Sequence, residues 1–308
     1  MMRCALLVAC VLTLVSPGQA QERLRIVTTT TDLKSLAEAV GGDRIEVTSL
    51  VPPNFDPEEY HPKPHDVARL KGASVVIRVG LDFDLWFDKL ITQATLTQTD
   101  VRGGIRRGGP GHIDASTAIA VLDIRGASVG VGDGHAHGSG NPHYWLDPKN
   151  AEIITGHILE TLARLDPPNA AYYEKSRLAF LTALDAKLPQ WEEKLAPMRG
   201  RPMLAYHNSW AYFARRFRLN FVDYVEPKPG VPPSPAHLAK LIRMARERDI
   251  RFIVRQPYEP EKDVAFLARE TKAKIVLLAA SVGGLPAATD YVSLFDTNVG
   301  ALLAAATP

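Results

Sequence analysis

The sequence predicts an α/β protein made of two βα-rich lobes with parallel sheets, joined by one long connecting helix. Three observations carry this. β-rich runs alternate with helical patterns on both sides of residues 170–194, and that alternation implies βαβ units and parallel strands. The chain has 308 residues and 46% hydrophobic content, more than one core usually holds, since single cores rarely grow past ~250–300 residues. Residues 170–194 form one long helical pattern lying between the two alternating halves. The expected boundaries are a signal segment over 1–20, a first lobe over 21–168, a connector over 169–198 and a second lobe over 199–308.

Residues 24–29 open the first lobe as a strand. Asp32 then caps a helix in which Leu33, Leu36, Ala37 and Val40 fall at i, i+3, i+4 and i+7, ended by Gly41-Gly42. Residues 45–51 read as a strand, Asp66 as the cap of a short helix, and residues 74–79 as a buried strand stopped by Gly80. Glycine-rich stretches at 102–111 and 126–140 read as loops, with a strand expected between them at 119–124. A helix is expected over 148–165, Pro167-Pro168 breaks the chain, and Pro189 is expected to kink or restart the connector. In the second lobe, strands at 203–206, 221–225, 252–255 and 275–278 alternate with helices at 209–217, 235–248 and 261–271. His207, Glu226, Gln256 and Ala280 fall at strand ends, where open α/β sheets collect their ligands.

The first twenty residues join a basic start, a short apolar run and a small-residue exit at Ala20, the pattern of a cleaved export signal. Lipid anchoring at Cys10 is a minor alternative. Both cysteines, Cys4 and Cys10, lie inside this segment, so the exported chain is expected to hold together by its core rather than by disulfides. A formal net charge of +2 gives no electrostatic case for nucleic acid or an anionic membrane. No Gly-x-Ser-x-Gly elbow, His-Glu-x-x-His motif or phosphate loop is present.

Three histidines stand in short Pro- or aromatic-flanked motifs far apart in the chain. They are His61 in Glu59-Tyr60-His61-Pro62, His143 in Pro142-His143-Tyr144-Trp145-Leu146-Asp147-Pro148, and His207 in Tyr206-His207-Asn208-Ser209-Trp210. Separated histidines that converge in a fold make the nitrogen-rich shell that Zn²⁺ prefers, whereas Mn²⁺, the second candidate, favours oxygen. His65, His112, His157 and His237 read as solvated or satisfied by neighbours. His135 and His137, on the glycine-rich loop, read as a weak auxiliary metal pair. Asp147 reads as a partner for a ligand histidine or as a helix cap.

These motifs, with His65-Asp66-Val67, Gly80-Leu81, Tyr212-Phe213, Gly283-Gly284 and Asp290-Tyr291, resemble the periplasmic zinc- and manganese-type solute-binding proteins that feed metal-uptake ABC transporters. The resemblance covers essentially the whole exported chain. It implies a periplasmic, monomeric binding protein, not an enzyme, that carries Zn²⁺ (or Mn²⁺) between its lobes to a membrane permease. It also implies that His61 and His143 come from the first lobe and His207 from the second. One departure stands out. The family commonly places a carboxylate near the position of Ala280, but residues 278–283 here read Leu-Ala-Ala-Ser-Val-Gly. The fourth position is therefore open to water, Glu59, Glu226 or Gln256, and an open position keeps a zinc hydrolase as a competing reading.

Overall fold

The computed structural model describes residues 23–97, 104–123 and 139–307. The export segment and the His135/His137 pair lie outside these residues. Two four-stranded sheets, each wholly parallel, form the two lobes. In the first, β1 (Leu24–Thr28), β2 (Ile45–Ser49), β3 (Val75–Arg78) and β4 (His112–Asp114) are ordered β2-β1-β3-β4. In the second, β5 (Pro202–Ala205), β6 (Asn220–Tyr224), β7 (Phe252–Arg255) and β8 (Lys274–Leu277) repeat that order as β6-β5-β7-β8. The chain reverses its direction of winding beside β1 and β5. Those are the points where α/β sheets leave a crevice at their carboxyl ends.

The helices are α1 (Thr31–Gly41), α2 (Pro64–Arg69), α3 (Trp86–Thr97), α4 (Asn150–Leu165), α5 (Ala170–Lys194), α6 (Ala211–Phe217), α7 (Pro235–Glu247), α8 (Glu261–Thr271) and α9 (Tyr291–Ala306). Thr30, not Asp32, caps α1, its hydroxyl accepting from the Leu33 N–H at 3.5 Å. Asp66 sits inside the first turn of α2 and reaches back to the Lys63 N–H at 2.7 Å. The expected strand at 119–124 is absent over its described part, and β4 supplies the fourth strand earlier in the chain. Its three residues carry a single apolar side chain, too short a pattern to read. The connector α5 runs unbroken through Pro189. Helix α9 is apolar on most of its circumference, so it shows no amphipathic stripe, and a reciprocal Asp290–Ser293 capping box starts it.

Alternation along β1 splits the first core. Ile26 faces a large cluster that continues into the second lobe, while Val27 faces a smaller one with Leu50, Leu70 and Phe87. The large cluster runs from Leu36 and Val40 through Trp145 to Phe213, Tyr291 and Phe295. The two lobes therefore share one interior. Helix α5 braces it, packing on α1 and α4 on one side and α9 on the other.

Buried polar bonds lock this junction. The Trp145 indole N–H donates to the Ala280 carbonyl at 2.8 Å, and the Tyr291 hydroxyl donates to the Trp145 carbonyl at 2.5 Å. Asp147, buried in the first lobe, takes a forked pair from Arg216 on α6 at 2.7 and 3.0 Å. That geometry is the strong, orientation-specific form of the ion pair, so Asp147 joins the lobes instead of orienting a ligand histidine. It also accepts from the Lys149 N–H at 3.0 Å. At the N-terminus of α1, the Thr31 hydroxyl donates to the Val282 carbonyl at 2.7 Å, and Asp32 accepts from the Val282 N–H at 2.9 Å.

Asp32 has no exposed surface, and burial pushes its carboxyl up to about 7 despite these bonds. An acid raised in the folded state favours folding when protonated, and it loses that contribution as pH climbs from the unfolded value of about 3.9 to the folded one. We predict that Asp32→Asn, which keeps the acceptor for Val282, removes this loss. Thermal melts should show the variant less sensitive to pH between about 5 and 8, and more stable than the parent at pH 8 by on the order of 2 kcal/mol. Parallel melting curves for the two proteins across this range would show that the charge is accommodated without cost.

Candidate metal centre

The segments around Asp56 and His143 from the first lobe and those around His207, Glu226 and Gln256 from the second meet in a cleft of about 330 Å³. The strand β2 leads into a turn in which the Asp56 carboxylate accepts the Glu58 N–H at 2.9 Å and the Asp56 carbonyl accepts the Glu59 N–H at 3.2 Å. This turn directs Glu58 inward, leaving its side chain 7% exposed. Two residues on, Tyr60 is also turned inward and donates to Asp66 at 2.7 Å. Glu59 and His61 on either side of it are exposed.

Glu58, His143 and His207 come together, with one ligand atom from each lying within 4.8 Å of the others. Glu58 Oε1 is 3.3 Å from His143 Nε2 and 3.6 Å from His207 Nε2. A tetrahedral ion with metal–ligand bonds near 2.0–2.1 Å spaces its donors about 3.3–3.4 Å apart. Both measured edges are close to that spacing.

Each imidazole is oriented from behind. His143 Nδ1 faces Asn141 Oδ1 at 3.1 Å, and its ring packs between Phe83 and Trp145 with centroids 5.5 and 5.3 Å away. His207 Nδ1 faces Glu226 Oε2 at 2.5 Å, while Glu226 Oε1 accepts from the Gly230 N–H at 2.7 Å. Acceptors on Nδ1 leave Nε2 for the metal and raise the basicity of the ring.

Of the sequence-predicted ligands, the structure brings His143 and His207 together and leaves His61 exposed on the outer side of its turn, away from the cleft. Glu58 occupies the place expected for His61. No histidine marks Glu58 in the sequence, and the Asp56-Pro57-Glu58 turn ahead of Tyr60 is the local signal that points to it. Glu226 and Gln256 have their polar atoms engaged elsewhere. Gln256 donates to Ser209 at 2.9 Å and Glu259 at 3.1 Å and accepts from Tyr258 at 2.6 Å. Ala280 does not line the cleft, and its carbonyl is taken by Trp145. His112, His157 and His237 bond the carbonyls of Ile105, Thr117 and Tyr224, and His65 is exposed beside Asp66.

Asp56, Glu58, Glu59, Glu226 and Glu259 line the cleft, with no lysine or arginine among them. Burial, reinforced by repulsion from Glu58, pushes Asp56 up to about 6, and burial pushes Glu259 up to about 8. Burial alone would lower the His207 pKa, but the Glu226 and Glu58 carboxylates outweigh it and hold His207 well above the ordinary histidine range. Such a cleft is short of positive charge and suited to a cation.

A family model named ZnuA and described as "Zinc-uptake complex component A periplasmic" matches residues 26–305. The chain belongs to this family. Among individual relatives, the iron-binding protein YfeA of Yersinia pestis is 26% identical over 92% of this chain and 86% of its own length. The manganese ABC transporter substrate-binding lipoprotein PsaA of Streptococcus pneumoniae is 24% identical over 84% of this chain and 80% of its own. A crystal structure of ZnuA superposes with a TM-score of 0.77 at 26% identity, covering 92% of this chain and 99% of that one. As a member of the ZnuA family, the protein is an extracytoplasmic metal-binding component of an ABC transporter that works with a membrane permease. It is not an enzyme, which overturns the hydrolase reading. No helix among the described residues is long and apolar enough to cross a membrane.

Metal must displace any proton held on His207. With this pKa raised by Glu226 and Glu58, binding should weaken on acidification from a pH above the ordinary histidine range. Glu226→Gln removes one of the two anions. We predict that the half-loss pH moves downward while affinity at pH 8 falls about ten- to a hundredfold, because the ring becomes a weaker donor. Chelator-competition titrations from about pH 5.5 to 8.5 check this. An upward move of the half-loss pH would contradict the assigned role of Glu226.

Proposed function

We propose that the protein captures Zn²⁺ in the interlobe cleft and delivers it, as an exported periplasmic monomer, to its ABC permease. The observation that carries this reading is the convergence of Glu58, His143 and His207, with Glu58 3.3 and 3.6 Å from the two Nε2 atoms and both imidazoles oriented from behind. Two nitrogens and one carboxylate oxygen form a donor set that Zn²⁺ accepts readily, leaving one position for water. The family description, a zinc-uptake component, supports the same ion.

Mn²⁺ is the second reading, and a specific observation favours it. Glu58 supplies an oxygen donor where a third nitrogen was expected, and oxygen donors improve the standing of Mn²⁺ and Fe²⁺ relative to Zn²⁺. The manganese- and iron-associated names of two relatives support the same possibility. The shared interior of the lobes supports capture with small local shifts instead of wide hinge closure. The loaded state would then differ from the empty one mainly around the three ligand loops.

Calorimetry with Zn²⁺, Mn²⁺ and Fe²⁺ on the exported chain tests the reading. We expect one tight Zn²⁺ per monomer, weaker Mn²⁺ binding, and a loss of at least about tenfold in Zn²⁺ affinity in Glu58→Gln, with a larger loss in His143→Ala. His61→Ala should bind like the parent. Native affinity in Glu58→Gln together with collapse in His61→Ala would return the site to three histidines. A clear preference for Mn²⁺ over Zn²⁺ would select the second reading.

A further inference from the structure

The side chain of Asn141 touches both histidine-bearing loops. Its Oδ1 accepts from the backbone N–H of His143 at 3.0 Å and faces His143 Nδ1 at 3.1 Å. Its Nδ2 donates to the carbonyl of Asn208 at 2.8 Å, one residue beyond His207 and in the other lobe. A backbone N–H only donates and a carbonyl only accepts, so the orientation of this amide is fixed by chemistry. With Oδ1 turned to His143, the ring nitrogen facing it must carry the proton. The lone pair of the neutral ring is then on Nε2, which faces Glu58 at 3.3 Å.

The backbone of Asn141 is equally constrained. Its N–H donates to the Leu122 carbonyl at 2.8 Å, and its carbonyl accepts from the Tyr212 hydroxyl at 2.9 Å. That hydroxyl in turn accepts from the Leu122 N–H at 3.0 Å. Asn141 is 6% exposed. The side chain is therefore held on a rigid base between the lobes.

The geometry points to Asn141 as a positioning residue that sets the tautomer of His143 and, through the same amide, the spacing between His143 and the loop of His207. This rests on the reading of Glu58, His143 and His207 as the metal site. The two imidazoles are then tuned differently. A carboxylate backs His207, whereas a neutral amide backs His143, accepting from the ring through Oδ1 and donating to the Asn208 carbonyl through Nδ2. Aspartate would keep the first bond, lose the second, and set an anionic oxygen against that carbonyl. Leucine would lose both and leave the Glu58 carboxylate, 3.3 Å from Nε2, to draw the proton to that nitrogen.

The test combines ¹⁵N-histidine NMR of the metal-free chain with Zn²⁺ affinity by chelator competition, on the parent, Asn141→Leu and Asn141→Asp. The parent should show His143 as the Nδ1–H tautomer. Asn141→Leu should shift the ring toward Nε2–H and weaken Zn²⁺ by about ten- to a hundredfold. Asn141→Asp should keep the Nδ1–H signal while still binding more weakly than the parent. An unchanged tautomer in Asn141→Leu overturns the proposal even if affinity drops, since the role would then be structural only. Parent-like affinity in Asn141→Leu also overturns it. If the leucine variant does not fold, the near-isosteric aspartate variant decides, and loss of its Nδ1–H signal or full parent affinity overturns the proposal. Glu58→Gln run alongside separates the two levels: unchanged Zn²⁺ affinity there refutes the site itself, whereas a loss there with parent-like Asn141 variants refutes only this inference.

Discussion

A carboxylate and two imidazoles gathered from opposite lobes must keep a spacing of a few ångströms in a cleft whose other carboxylates oppose the charge of Glu58. Glu58 reaches the cleft among Asp56, Glu59, Glu226 and Glu259, and its charge adds to the burial that pushes the Asp56 carboxyl up, since like charges oppose one another more strongly in a partly dehydrated site. The arrangement persists because its supports lie outside the cleft. The shared interior running through Trp145, Phe213 and Phe295, with the Asp147–Arg216 fork and the Trp145–Ala280 bond, holds the two sheets in one relation. Aromatic side chains of this size contribute several kcal/mol each when buried and so oppose the repulsion within the cleft. A bound cation relieves that repulsion, so the repulsion becomes part of the cleft's affinity.

The same junction accounts for the strand-end position of the site. Both sheets have the order in which the chain reverses direction beside the first strand of each lobe, and both crevices open on the side where the lobes meet. Glu58 follows β2, His143 follows β4, and His207 follows β5. His207 sits directly after its strand, whereas Glu58 and His143 lie further along the chain from theirs, and contacts from Glu226 and Asn141 fix the rings. An anionic acceptor backs His207 and a neutral one backs His143. The Glu226 and Glu58 carboxylates hold His207 well above the ordinary histidine range.

Much of the architecture was legible in the chain itself. The helix at Leu33, Leu36, Ala37 and Val40, the strand Phe252–Arg255, the helix Glu261–Thr271 and the connector Ala170–Lys194 follow from local periodicity, because each buries a face or stripe that the pattern already marks. Two elements were not legible. The strand His112–Asp114 carries one apolar residue, and α9 is apolar on most of its circumference, so neither displays the period of its own structure. Pro189 was expected to kink or restart α5, and the helix continues through it without a restart. A helix held by neighbours on both sides tolerates one missing N–H.

The sequence by itself determined the parallel two-lobe plan, the family resemblance, and the presence of His143 and His207 at positions that a shared cleft would use. Only the tertiary structure decided the third member of the cluster. Whether His61 or Glu58 faces the cleft depends on the direction of a turn, set by Asp56 holding the Glu58 N–H and by Tyr60 reaching inward to Asp66. Nor could the chain alone reveal that Asp147 belongs to Arg216, or that Asn141 serves both lobes. Those partners lie 69 and 67 residues away, and contacts at that separation are made by packing, which local pattern does not encode.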